Sequence, residues 1–426
     1  MTAIILSIGD ELVLGQTVDT NSAWLSQQLA AVGVSVLAHV TVGDDQPAIE
    51  RAIAESSTRC DVLLITGGIG PTEDDLTRQA LAAVMNAPLE ENAQWMAELH
   101  KFFEARGRKM PPINRIQAMI PRGAVMIFNT CGTAAGIFAV LAGTPGGCDV
   151  FITPGVPKEM KAMFTNSILP LIQKRAGGAV ILSRTLHTFG LGESAVAEKL
   201  GTLMRRDRNP SVGTTVANGI VSLRLNARFP SLPNTQREIQ ATEDACSAAL
   251  GDIIFGSDDQ TLPEVVARLL LADPVATKWA PSVATVESCT GGLVAKMLTD
   301  IAGSSAYFRQ GYVTYSNEAK MNLVNVSSQV IAEHGAVSEP VARAMAQGAQ
   351  QNCGAAYVLA ITGIAGPTGG SAQKPVGTVW IAFAHPGGCD ARLFLFPGDR
   401  EMIRDRAAKT ALSMLRFHLL GKPLPF

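Results

Sequence analysis

Short apolar, β-rich runs alternate with amphipathic stretches over residues 1–170 and again after about residue 260. In the first block the runs Ala3 to Ile8, Val34 to Val42, Val62 to Thr66 and Val150 to Thr153 predict strands, and an amphipathic helix is expected around Ser22–Ala31. Apolar strands separated by helices predict a parallel α/β sheet covered on both faces. Between about 177 and 255 the pattern changes. Ser183–Thr188 and Ile220–Arg228 alternate like half-buried strands, and a helix pattern at Ser194–Met204 lies between them. Pro230-Ser231-Leu232-Pro233-Asn234 reads as a turn. This is expected to be a small α+β module. The third block opens with a helix at Leu262–Ala272. It then repeats the α/β alternation, with strands near 283–286, 357–361 and 376–384 and a last helix from about Glu401 to Leu419. Three domains follow: 1–170, 177–255 and 260–422.

Each strand of the first block ends in a polar or glycine-rich break: Gly9-Asp10-Glu11, Gly43-Asp44-Asp45, Thr66-Gly67-Gly68-Ile69-Gly70-Pro71-Thr72, and Pro154-Gly155-Val156-Pro157. Ligands bind at such carboxyl ends in open α/β sheets. Glycines let backbone amides come close to a phosphate, so Gly67, Gly68, Gly70 and Thr72 are the candidate binding residues. The run is neither a Walker loop nor G-x-G-x-x-G. Thr72 and Asp75 also have the spacing of a capping-box variant. Three successive acids, Glu73, Asp74 and Asp75, would repel a phosphate unless a divalent cation intervened. With Asp10, Glu11, Asp44 and Asp45 they suggest an oxygen-ligated metal, for which Asp10, Asp74 and Asp75 are the candidate ligands.

In the third block a strand breaks at Glu287-Ser288-Cys289-Thr290-Gly291-Gly292 and an apolar helix pattern follows. A strand, a sharp turn and a helix place a hydroxyl beside the amides of Gly291 and Gly292, where an oxyanion or a phosphate could be held. The same residues would also serve an ordinary helix cap. Serine needs a base, and no histidine lies near. A buried lysine made neutral by desolvation can fill that role, and Lys320 is the candidate. Cys289 is the rival nucleophile. Tyr315, Asn317, Thr362, Gly363, Gly366 and Arg400 lie in further motifs that could surround Ser288. Arg400 suits a phosphate and could equally pair with Asp399 or Glu401.

Composition narrows the class. Hydrophobic residues make up 47% and charged residues 17%, so large cores are available, and a net charge of −2 gives no global basic footprint for nucleic acid. The longest small and apolar runs, such as Ala134–Ala142, are far below the ~20 residues of a membrane span. The N-terminus shows no signal-peptide pattern. Seven cysteines are scattered without C-x-x-C, which argues against zinc and disulfides and for a cytoplasmic setting.

The set E-S-C-T-G-G, S-N-E-A-K, T-G-I-A-G-P-x-G-G, K-P-V-G-T-V-W and G-D-R resembles the C-terminal domain of the CinA family over most of 262–420. The resemblance implies hydrolysis of nicotinamide mononucleotide to the nicotinate nucleotide and ammonia without a cofactor. By position Ser288 would be the nucleophile, Lys320 its base, Tyr315, Thr290 and Asn317 site residues, and Arg400 the phosphate ligand. The set I-G-D-E-L, T-G-G-I-G-P-T-x-D-D-L-T and P-G-V-P-x-E-M resembles the N-terminal domain of the same family, whose fold is that of molybdopterin-binding proteins. It implies an ADP-ribose pyrophosphatase dependent on a divalent metal. The middle block resembles that family's KH-like module. It has only Gly190-Leu191-Gly192-Glu193 and no G-x-x-G clamp in a basic stretch, so a spacer or dimerisation role is expected and RNA binding is not. A homo-oligomer, most simply a dimer, is expected from the family alone. A molybdopterin-handling enzyme and a non-catalytic interaction protein are the rival readings.

Overall fold

The computed structural model describes residues 1–144, 146–176, 180–272 and 282–426. It divides into two compact units, 1–182 with 226–239, and 183–225 with 240–426.

The first unit begins β1 (Thr2–Ile8), α1 (Asp10–Val13), α2 (Thr20–Ala31), β2 (Ser35–Val42), α3 (Gln46–Ser57), β3 (Val62–Thr66) and α4 (Thr77–Val84). It continues with β4 (Leu89–Glu91), α5 (Ala93–Glu104), β5 (Met119–Pro121), β6 (Val125–Ile127), β7 (Gly136–Leu141), β8 (Cys148–Thr153), α6 (Pro157–Met163) and α7 (Leu169–Arg175). Six strands form one sheet in the order β2-β1-β3-β8-β7-β6. β1, β2, β3 and β8 run parallel, whereas β7 is antiparallel to β8 and β6 antiparallel to β7. The sheet is therefore mixed, not parallel throughout. The six residues between β7 and β8 are too few for the crossover that a parallel neighbour needs. Alternate residues of β1 feed opposite cores. Ile4, Leu6 and Ile8 pack with Ile49 and Leu81, while Ala3 and Ile5 pack with Leu25 and Met160. Helices on both faces explain why these strands read as unbroken apolar runs.

Next along the chain come β9 (Val180–Phe189), α8 (Glu193–Leu200), β10 (Ser211–Ala217), β11 (Ile220–Phe229), α9 (Leu232–Leu250) and β12 (Ile254–Ser257). Their four strands form a sheet in the order β10-β11-β9-β12. Pro233 and Asn234, expected in a turn, lie in the first turn of α9. Proline is tolerated there because its missing N–H would have had no helical partner.

The remainder comprises α10 (Leu262–Ala272), β13 (Val283–Glu287), α11 (Leu293–Thr299), β14 (Phe308–Val313), α12 (Asn317–Val324), α13 (Ser328–His334), α14 (Glu339–Cys353), β15 (Tyr357–Gly363), β16 (Thr378–His385), β17 (Gly388–Leu395) and α15 (Arg400–Leu419). The sheet order is β14-β13-β15-β16-β17. β13 is parallel to both β14 and β15, and the last two strands form an antiparallel meander. Val283 packs with Leu270 and Leu415 on one face, while Ala284 and Val286 pack with Met345 on the other. In register, Glu287 stands beside Val313 and Ile361. The turns leaving β13, β14 and β15 therefore emerge together at one end of the sheet.

Candidate functional site

The turn after β13 is built around Glu287. Its buried carboxylate accepts three backbone amides, Gly292 and Val294 at 3.0 Å and Ala295 at 2.8 Å. These are amides at the start of α11, which have no partner within the helix. A carboxylate there is favoured by both hydrogen bonds and the helix dipole. Gly291 and Gly292 take φ of +60° and +93°, a conformation that favours glycine and lets the chain double back onto Glu287. The Gly291 amide donates to the Ser288 carbonyl at 3.1 Å. Both glycine amides expected to hold an oxyanion are thus already engaged. The Cys289 and Thr290 amides donate to no other described residue. Sequence reasoning did not find Glu287, because a glutamate ending a strand reads as a side chain turned to water, whereas this one is buried.

Ser288 is fixed by its amide, which donates to the Ile361 carbonyl at 2.9 Å. Lys320, in the first turns of α12, reaches it from the β14 side. Its Nζ lies 3.1 Å from Ser288 Oγ and 2.8 Å from the Thr314 carbonyl. Lys320 is 2% exposed, and burial holds its amine below the ordinary lysine range, against a smaller opposing effect of Cys289. Burial also pushes the Cys289 thiol up to about 11. The serine therefore faces a buried amine, while the cysteine is a buried thiol held protonated at neutral pH.

The other expected residues take distinct places. Thr290 is buried, its hydroxyl without a partner among the described residues. Tyr315 is 59% exposed, and its hydroxyl accepts from Arg400 at 2.9 Å. Arg400 also donates to the Gly366 carbonyl at 2.7 Å, so it joins the β14 turn to the glycine-rich loop after β15. Asp399 is the N-cap of α15, accepting the Met402 amide. Asn317 is exposed at the start of α12. Thr362 is buried and donates to the Ala336 carbonyl at 2.8 Å. At Gly363 a Cβ would stand 2.7 Å from Val379, so that glycine serves close strand packing. Arg404, one turn beyond Arg400, was not anticipated. It donates to the carbonyls of Cys289 at 3.1 Å and Thr290 at 2.7 Å and so grips the turn that carries Ser288.

A second site lies at the carboxyl ends of the parallel strands in the first unit. A cleft of about 420 Å³ is lined by Gly67, Gly68, Gly70, Glu11, Asp44 and Asp74, among others. At Gly67, φ is +104° and a Cβ would stand 2.3 Å from the Ile8 carbonyl, so glycine lets the loop cross β1. The Gly67 amide donates to Thr153. Asp75 accepts from the amides of Gly70 at 2.7 Å and Thr72 at 2.9 Å and from the Thr72 hydroxyl. Asp75 is thereby committed to shaping the loop. The helix that follows starts only at Thr77, so Thr72 caps the turn and not the helix. Arg78, 1% exposed, donates to the Ile69 carbonyl at 2.9 Å from beneath. Burial lowers its guanidinium to about 10, and its Nε and Nη1 have no acceptor among the described residues. An arginine amid the apolar positions of α4 was the one signal of it in the sequence.

Asp10 and Asp44 exchange hydrogen bonds, each carboxylate accepting the other's amide at 3.1 and 2.9 Å. Burial first, then the like charges of Asp10, Glu11 and Asp74, holds the Asp44 carboxyl above its usual range. Among the described residues no group of three or more His, Cys, Asp or Glu is arranged to hold a metal ion. Glu11, Asp44, Asp74 and Asp75 are the Asp and Glu carboxylates that line the cleft with Glu159. No described helix is long and apolar enough to cross a membrane.

Comparison with known proteins gives three family matches. The CinA C-terminal domain matches residues 267–419, the "Probable molybdopterin binding domain" 4–174, and the damage-inducible protein CinA KH domain 183–256. A CinA-like protein of Geobacter sulfurreducens is 42% identical over 416 residues, 97% of this chain and 98% of that one. One from Geobacter metallireducens is 41% identical over 422 residues, 99% and 100% of the two chains. The crystal structure of a competence/damage inducible protein from Agrobacterium tumefaciens is 41% identical, covering 38% of this chain and 97% of that one with a TM-score of 0.35.

Proposed function

The chain belongs to the CinA family, and from that premise we propose that it is a bifunctional enzyme of pyridine-nucleotide recycling. Its C-terminal part would deamidate nicotinamide mononucleotide, and its N-terminal part would cleave ADP-ribose at the pyrophosphate with a divalent metal.

The observation that carries the first activity is the buried Lys320 amine 3.1 Å from Ser288 Oγ. Ser288 Oγ attacks the carboxamide carbon while its proton passes to the neutral Lys320 amine. The tetrahedral oxyanion needs nearby N–H donors, and the turn offers the amide of Thr290 and that of Cys289, which otherwise reaches only its own thiol. Lys320 returns the proton to the leaving nitrogen, and ammonia departs from an acyl-serine. The same amine then takes a proton from water, which hydrolyses the ester, and restores it to Ser288. Arg400, bonded to the exposed Tyr315 and to the Gly366 carbonyl, supplies a multi-donor cation for the substrate phosphate. Ammonia release from nicotinamide mononucleotide is the test. No release by the wild-type protein would remove the reading.

For the second activity the support is the glycine loop facing a group of mutually repelling acids in one cleft. The metal would supply charge neutralisation at the pyrophosphate, and Glu11, Asp44 and Asp74, which line the cleft, would hold it. Molybdopterin binding is the rival for this domain, favoured by its match to a molybdopterin-binding model. ADP-ribose cleavage without molybdopterin binding would discard the rival.

A further inference from the structure

The first unit holds another concavity, of about 470 Å³, between α5 and the segment 128–132. Its size falls in the range of ligand pockets, roughly 300–1,000 Å³. Trp95, Phe102 and Phe128 contribute aromatic walls, and the Trp95 and Phe128 rings lie 5.2 Å apart. The buried Trp95 indole N–H has no acceptor among the described residues. Positive charge stands close by. Arg106 lies 3.5 Å from the centroid of the Phe102 ring, and Lys101, paired with Glu98 at 2.8 Å, lines the same cavity.

This cavity adjoins the cleft of the glycine loop. One segment contributes to the walls of both, with Asn129, Thr130 and Gly132 on the aromatic side and Thr133 and Ala134 on the cleft side. Asn129 ties the segment together, its side-chain Oδ1 accepting the Cys131 and Gly132 amides and its Nδ2 donating to Glu159 at 2.6 Å. Glu159 lines the cleft, and a Cβ on Gly132 would stand 2.3 Å from its carboxylate. Glycine there makes the partition one residue thick.

We propose that the aromatic cavity is the base subsite of the N-terminal site, taking the ring of a nucleotide whose phosphates lie on the Gly67–Gly70 loop. The proposal rests on the N-terminal reading above and specifies where that substrate's ring binds. Aromatic side chains recognise a base by its face, whichever base it is, and a flanking cation favours a ligand that carries phosphate. A pocket for an apolar peptide would have no need of a shared wall with a phosphate cleft.

Calorimetric titration with ADP-ribose and with inorganic pyrophosphate, in Mg²⁺ buffer, tests it on wild type, Phe102→Ala and Phe128→Leu. Phe102 is only half-buried, so its truncation spares the core, and Phe128→Leu keeps an apolar side chain against Trp95 while removing the stacking face. Expected is a loss of about 5- to 150-fold in ADP-ribose affinity, with pyrophosphate affinity unchanged. Unchanged ADP-ribose affinity in both variants overturns the subsite and leaves the N-terminal reading standing. Equal losses for both ligands also overturn it, since the pocket would then only support the cleft. If wild type binds neither ligand, the N-terminal reading itself fails.

Discussion

The amine of Lys320 lies 3.1 Å from the hydroxyl of Ser288, inside protein, with the Thr314 carbonyl as its other partner. A lysine so placed acts as a base only when neutral. Deamidation should therefore fall as pH drops through Lys320's lowered value, seen as the acid limb of kcat/KM. Lys320→Met should lose about 10²–10⁴-fold in activity. Folding is linked to the same proton. The unfolded chain binds it up to the ordinary value of 10.5 and the folded chain releases it lower, so stability should rise with pH between the two. Thermal unfolding across that window should show the rise in wild type and a flatter profile in Lys320→Met.

Ser288→Ala should abolish ammonia release, whereas Cys289→Ala should retain most of it. The thiol is buried and pushed up to about 11, so at neutral pH it supplies almost no thiolate. A burst of acyl-enzyme in wild type, absent from Ser288→Ala, would be the kinetic check. Activity that survived Ser288→Ala and vanished in Cys289→Ala would reverse the assignment.

Glu287→Gln keeps the shape of the side chain and removes its charge. Three amides then face a neutral group that has one acceptor oxygen. A cost of roughly 1.5–3 kcal/mol in stability is expected, together with reduced turnover, measured by chemical denaturation alongside the ammonia assay. Unchanged stability would show that the carboxylate is not what holds the turn.

Arg404→Ala leaves the carbonyls of Cys289 and Thr290 without their donor. The turn should relax, and a shift of about 1 Å at a reacting atom can cost on the order of 100-fold. The loss should appear in kcat with KM little changed, since Arg404 grips the turn and not the substrate. Arg400→Ala should show the opposite split, raising KM for the phosphate-bearing substrate.

Gly67→Ala forces a Cβ to within 2.3 Å of the Ile8 carbonyl at a φ of +104°. The left-handed backbone alone costs about 1–2 kcal/mol, and the contact adds to it. ADP-ribose turnover should be lost while nicotinamide mononucleotide deamidation persists. Loss of both activities would show that the substitution damages more than its own loop.

Periodicity made the strands and helices around both sites legible, because strands buried on two faces leave unbroken apolar runs. It did not show β6, β7 and β17, and it gave β16 without its antiparallel direction, which depends on the length of the connection. The pairing of Ser288 with Lys320 was readable from residue type and from family resemblance. The groups that hold them in place were not. Glu287, Arg404 and Arg78 act through contacts with backbone atoms, and a sequence does not display where a carbonyl or an amide will be left over. The glycines of the Ser288 turn were read as donors for a ligand, whereas Glu287 beside them takes the Gly292 amide. Chemistry that depends on a residue's identity was visible, and chemistry that depends on who reaches a peptide group first was not.

The amides of Gly292, Val294 and Ala295 lie against a buried carboxylate. They can meet solvent only if the strand end and the helix start come apart. In deuterium they should be among the slowest of the C-terminal part to exchange. The seat of Ser288 is then set before any substrate arrives, and an encounter spends none of its binding energy on ordering it.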